Sequence, residues 1–113
     1  MHELAITQSL FDIVLKEAEK EKAHKVESIT LVIGEMTGVV NDSVQFYLDL
    51  MTPNTIAAGA KVIFKSIPVK VKCRGCGKIS ELKPFDYECP FCKATSLEVI
   101  SGKELLVESI EVT

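Results

Sequence analysis

Cys73-Arg-Gly-Cys76-Gly77 and Cys89-Pro-Phe-Cys92-Lys93 carry all four cysteines of the 113-residue chain, as two CxxC pairs twelve residues apart. A CxxC turn directs two sulfurs into one concavity, because the short chain between them bends back and its backbone amides can donate to the thiolates. Two such turns facing each other make a tetrahedron of sulfur suited to zinc, with Zn–S distances of about 2.3 Å. Gly75 and Gly77 are expected to supply permissive backbone angles, and Pro90 to stiffen the second turn. Disulfides, a redox-active CxxC and a four-sulfur iron centre compete with this reading. Disulfides require an oxidising compartment, and the N-terminus lacks a basic region followed by an apolar run and a small-residue cleavage site. A redox motif is a single CxxC opening a helix after a strand, whereas these pairs come as two among glycines, prolines and charges. The expectation is therefore structural zinc on Cys73, Cys76, Cys89 and Cys92, with no coordination position left for water or substrate.

Outward from that stretch, the chain has room for one compact core and a small metal-held appendage. Apolar residues make up 47% and charged residues 26%. Even the stretch 26–40 is interrupted by Glu27, Gly34, Glu35 and Gly38, so no run reaches membrane-spanning length and a soluble, cytoplasmic protein is expected. The net charge of −3 offers no long-range attraction to nucleic acid or an anionic membrane.

The spacing predicts an amphipathic helix over 4–22, with Ile6, Leu10, Ile13, Val14 and Ala18 inward and Thr7, Asp12, Lys16, Glu19 and Lys20 outward. His24 reads as a solvated residue just past its end. A β-branched strand over 26–33 ends at Gly34. A second helix, capped by Asn41 or Asp42, presents Val44, Tyr47, Leu48 and Met51 and closes at Pro53. A long strand is expected over 60–71 and a last one over 103–112. The fold class is then α+β: a small β-sheet covered on one face by two helices, with the four-cysteine ribbon inserted between two strands that pair as a hairpin. The domain limits expected are 1–68 with 100–113 for the core and 69–99 for the ribbon.

The second informative stretch is Met1-His2-Glu3. A free terminal amine, the amide nitrogen of residue 2 and the imidazole at that position can chelate one metal through adjacent five- and six-membered rings. Deprotonated amides in a square plane suit Ni(II) or Cu(II), unlike the tetrahedral preference of zinc. Taken alone, a histidine after the first methionine is usually a surface residue.

Both stretches together resemble the HypA family of hydrogenase-maturation nickel chaperones. The resemblance extends through Ile33-Gly34-Glu35, Ser43-Val44-Gln45-Phe46-Tyr47-Leu48, Gly59-Ala60-Lys61-Val62 and Cys89-Pro90-Phe91-Cys92. It implies that His2 is the essential nickel ligand, with the Met1 amine and the amides of His2 and Glu3 as companions, and that the four cysteines hold zinc. It also implies transfer of Ni(II), with a GTP-hydrolysing accessory protein, to the large subunit of a [NiFe] hydrogenase. Lys78 and Lys93 stand where some relatives carry histidines beside the cysteines, which argues against a pH-responsive zinc site.

Two other classes compete. As a nucleic-acid-binding zinc ribbon or zinc adaptor, the segment 70–98 would need a basic face, yet it has six Lys or Arg against four Asp or Glu. Only Phe85, Tyr87 and Phe91 are placed to stack on bases. As an enzyme, the chain would need an activated nucleophile or an open metal position. Gly34-Glu35-Met36-Thr37-Gly38 lacks the lysine and spacing of a phosphate loop, and Glu35 would act as a base only with a histidine beside it. The expectation is a protein without catalytic turnover, monomeric or weakly dimeric, with no nucleic-acid or membrane partner.

Overall fold

The computed structural model describes residues 3–82 and 87–113. Its elements in chain order are α1 (Glu3–Lys20), β1 (Val26–Gly34), a short 3-10 turn (Glu35–Thr37), α2 (Asn41–Met51), β2 (Lys61–Ile67), β3 (Lys70–Cys73), β4 (Ile79–Glu81), β5 (Leu97–Ser101) and β6 (Leu105–Val112). They form two three-stranded sheets, β2-β1-β6 and β4-β3-β5.

β1 is the axis of the first sheet. It is parallel to β2, from Ser28 opposite Lys61 to Gly34 opposite Ile67, and antiparallel to β6. Being central, it is buried at every position but Glu27, which its β-branched composition suits. Ile29, Leu31 and Ile33 face the helices and meet Leu10, Phe11, Val14 and Ala18 of α1 and Val44 and Leu48 of α2. The two helices over one small sheet expected from the sequence are present.

Four details differ from the sequence-based expectation. On α1, Thr7 is fully buried and Ile13 is half exposed, while Phe11 takes a core position. The helix is rotated so that Thr7, Leu10, Phe11, Val14 and Ala18 make the inward stripe. Second, α2 carries no side-chain cap, and Val40 in extended geometry precedes it. Third, the expected long strand over 60–71 is two strands in different sheets, because Pro68 has no amide to continue a ladder and the chain turns there. Fourth, β2 and β6 do not pair as a hairpin. β1 lies between them, since its apolar residues require burial on both sides and so occupy the middle.

The sheets meet at a crossing of backbones. The Gly34 N–H donates to the Glu104 carbonyl (2.6 Å) and the Met36 N–H to the Gly102 carbonyl (2.8 Å). The Gly102 N–H donates to Glu104 Oε1 (2.7 Å), and Ser101 Oγ–H donates to the Pro68 carbonyl (2.9 Å). With the second sheet appended at one end, the molecule measures 54 × 24 × 17 Å. Its radius of gyration is 17.6 Å, against about 13 Å for a compact chain of this length.

Candidate metal centre

The ribbon has little apolar interior. Val71 is buried from β3, while β4 and β5 bury no residue fully. Its order comes from two backbone knuckles of the same design. The Gly77 N–H donates to the Cys73 carbonyl (2.9 Å) and the Cys73 N–H to the Lys78 carbonyl (3.0 Å). In the second knuckle the Lys93 N–H donates to the Cys89 carbonyl (2.8 Å) and the Cys89 N–H to the Ala94 carbonyl (2.8 Å). Each needs a left-handed residue at the same place, and Gly77 (φ 75°) and Lys93 (φ 61°) supply it. Gly75 takes no positive φ, contrary to the sequence-based expectation.

The knuckles bring the four sulfurs together, all within 4.8 Å of one another. Cys73 Sγ lies 3.5 Å from Cys92 Sγ, and Cys76 Sγ lies 3.7 Å from Cys89 Sγ. A tetrahedron with Zn–S bonds of about 2.3 Å has edges of about 3.8 Å, which the two shorter separations match. A disulfide needs sulfurs about 2.05 Å apart, and all four cysteines are free thiols. Cys73 and Cys89 are buried and Cys76 and Cys92 exposed, so the centre sits at the surface of the ribbon.

The electrostatics favour thiolates on the buried pair. The Cys73 thiol is lowered to about 6, first by the Cys76 amide and then against desolvation by the Cys92 thiol and the Gly75 amide. Those amides lie 3.5 and 3.3 Å from its sulfur. Cys89 is lowered by the amides of Cys92 and Phe91, the first being the larger effect. At Cys92 the Ala94 amide works downward, but the sulfurs of Cys73, Cys89 and Cys76, together with desolvation, raise it to about 11. A bare site therefore cannot hold four negative sulfurs near neutrality, and a dication is the natural counter-charge.

Around the centre, Lys78 lies over the Phe91 ring with its ammonium 4.7 Å from the centroid. That covers one face of a ring that a base would need. Phe85 lies outside the described residues, and exposed Tyr87 remains. No local pattern announces the Lys78–Phe91 pair, since it depends on how the knuckles face each other.

Of the nickel residues expected from the sequence, Met1 and His2 lie outside the described residues, and Glu3 opens α1. His24 and Glu35 flank opposite ends of the nine-residue β1, which spans about 30 Å at 3.3 Å per extended residue. They form no acid–base pair. Among the described residues the only cluster of metal-ligating side chains is the four-cysteine set. No helix is long and apolar enough to cross a membrane among these residues.

A helix-covered sheet carrying a ribbon of four converging thiols provides a closed metal site. The family model described as hydrogenase/urease nickel incorporation, metallochaperone, hypA matches residues 1–112, and the chain belongs to this HypA family. Hydrogenase maturation factor HypA of Caldanaerobacter subterraneus subsp. tengcongensis is 46% identical over 113 residues, covering 99% of each chain. That of Dehalococcoides mccartyi is 45% identical over 112 residues, covering 99% of this chain and 94% of its own. The solution structure of the Ni metallochaperone HypA from Helicobacter pylori shares the fold, with a TM-score of 0.69 at 23% identity over 99% of this chain and 97% of that one. The protein is thus a nickel metallochaperone of hydrogenase nickel incorporation, with zinc as its structural metal and nickel as cargo.

Proposed function

We propose that Ni(II) is held at the extreme N-terminus by the Met1 amine, the His2 imidazole and the amides of His2 and Glu3, while Cys73, Cys76, Cys89 and Cys92 hold zinc. One observation carries the reading. The chain belongs to a nickel-handling family, yet the only ligand cluster among the described residues is a closed set of four thiols suited to zinc. Nickel needs a separate site, and Met-His-Glu offers a nitrogen-rich set of the right preference. The site lies on residues 1–68 and 100–113, and the ribbon on residues 69–99. The protein performs no catalytic turnover. It passes nickel, with a GTP-hydrolysing accessory protein, to the large subunit of a [NiFe] hydrogenase. Four free thiols fit a reducing cytoplasm.

Isothermal titration of untagged protein with Ni(II) tests the site. His2→Ala should abolish specific nickel binding, and one residue added before Met1 should weaken it nearly as much by turning the amine into an amide. Zinc content should be unchanged in both. Nickel affinity surviving both changes would remove the N-terminal site.

A further inference from the structure

Beyond its metals, the molecule has an open edge beside a helix. β6 borders its sheet, with β1 on one side and no strand on the other among the described residues. α1 runs alongside β6, and a cavity of about 510 Å3 opens between them, lined by Ile13, Glu17 and Glu21 from the helix side and Val107, Ile110 and Val112 from the strand. A second cavity of about 310 Å3 adjoins it, sharing Ile13 and reaching Leu10 and Leu105. Core-facing residues of β6 are only half-buried because nothing flanks them, and Ile13 is 50% exposed above the gap.

An edge strand with an apolar groove beneath a helix is the geometry that accepts an extended peptide as an added strand, main-chain hydrogen bonds providing affinity and alternate side chains specificity. The charge along the groove selects the occupant. Ile13, Glu17 and Glu21 stand four residues apart, about 6.0 Å each on a helix. Alternate residues of a strand repeat at about 6.6 Å, so successive inward side chains of an added strand meet these three in turn. Among the described residues, glutamates are the only charged side chains lining this cavity. Glu17 is approached by Lys20 at 3.9 Å, but both are solvent-exposed and the pair is weak. A second copy of this strand offers no basic residue between Leu105 and Val112 to meet these acids. The extra residue in β6 at Glu108, where the register with β1 shifts, further guards the edge against its own kind. From the groove's spacing and charge, we infer that it docks an extended segment of a partner protein with the pattern apolar-x-basic-x-basic, pairing with residues 109–112 of β6.

The test uses the intact zinc-loaded protein, 15N-labelled, and the capped peptide Thr-Ile-Thr-Lys-Thr-Lys-Thr, with its reversed sequence to cover both strand directions. The glutamate counterpart Thr-Ile-Thr-Glu-Thr-Glu-Thr is the control. A lysine peptide should shift amides of residues 13–21 and 107–112 and slow hydrogen exchange along β6, and the glutamate peptide should do neither. Glu17→Lys with Glu21→Lys should weaken the interaction at least tenfold, and the exposed Ile13→Ser severalfold, with the spectrum otherwise retained. Equal effects of the two peptides, no lysine-peptide binding at millimolar concentration, or shifts without slowed exchange in β6 would overturn the inference. Concentration-dependent protection of β6 without peptide would make a second copy the occupant and also overturn it.

Discussion

Gly34 has an ordinary extended backbone (φ −75°), so its need for glycine is one of space. A Cβ there would fall 2.1 Å from the Gly102 carbonyl oxygen and 2.8 Å from the Glu104 amide nitrogen. Both are backbone atoms of residues whose carbonyls accept the crossing hydrogen bonds, so neither can move aside singly. Gly34→Ala should therefore cost about 1–3 kcal/mol by overpacking, read as a lower urea midpoint. Unchanged stability would show that the crossing is loose. At the other end of the residue scale, Glu3 sits in the first turn of α1, where an anion is favoured by the helix dipole. Its proposed ligand is the amide, which Glu3→Gln keeps. That variant should lose less nickel affinity than His2→Ala, as measured by competition with a chromophoric chelator.

At the scale of the element, the ribbon and the helix-covered sheet depend on different forces. Among the described residues between 69 and 99, none belongs to the main apolar cluster, which is drawn from α1, β1, α2, β2, β6 and adjoining loops. Among its described residues the ribbon buries Val69, Val71 and two cysteines. Zinc binding thus substitutes for an apolar interior there. Cys92→Ser should lose zinc and disorder the ribbon while core amide signals persist in an HSQC spectrum. Loss of the whole spectrum would show that the two sheets fold as one. The thiols also set a pH dependence. Zinc binds thiolates, so the Cys92 proton, held to about 11, must leave on binding even at neutral pH, whereas Cys73 at about 6 is already a thiolate there. Zinc affinity should fall as pH falls, first through protonation competing at Cys92 and then more steeply as Cys73 protonates near 6. Competition titrations at pH 5.5, 7 and 8.5 check the sign; pH-independent affinity would contradict it.

At the scale of the molecule, the two proposed metal sites differ in chemistry: amine, amide and imidazole nitrogen in one, thiolate sulfur in the other. Saturating Ni(II) should leave zinc in place and release protons as amides deprotonate, with affinity rising from pH 6.5 to 8. Zinc displaced by one equivalent of nickel, measured by metal analysis after desalting, would merge the sites. The long shape puts the ribbon at one end of a 54 Å molecule, joined to the core by the crossing of β2–β3 and β5–β6.

The sequence by itself determined the metal chemistry of the ribbon and the two helix-bearing segments. Cysteine spacing is a local property, since a CxxC knuckle closes within a few residues, and the periodicity of Val44 and Leu48 marks an inward face without reference to any partner. Local pattern also found the β1 strand, from its β-branched run. Tertiary structure alone decided where β1 sits and which way α1 turns. Strand order depends on which strand needs burial on both sides, a competition among segments distant in the chain, and this is why β2 and β6 flank β1 instead of pairing. On α1, Ile13 and Thr7 have apolar and polar side chains that suggest the reverse of their positions. The helix rotates to bring Phe11 over the sheet, so Thr7 is buried and Ile13 is left above the open edge of β6. The close approach of Gly34 to Gly102 joins residues 68 apart in the chain, and no local pattern announces it.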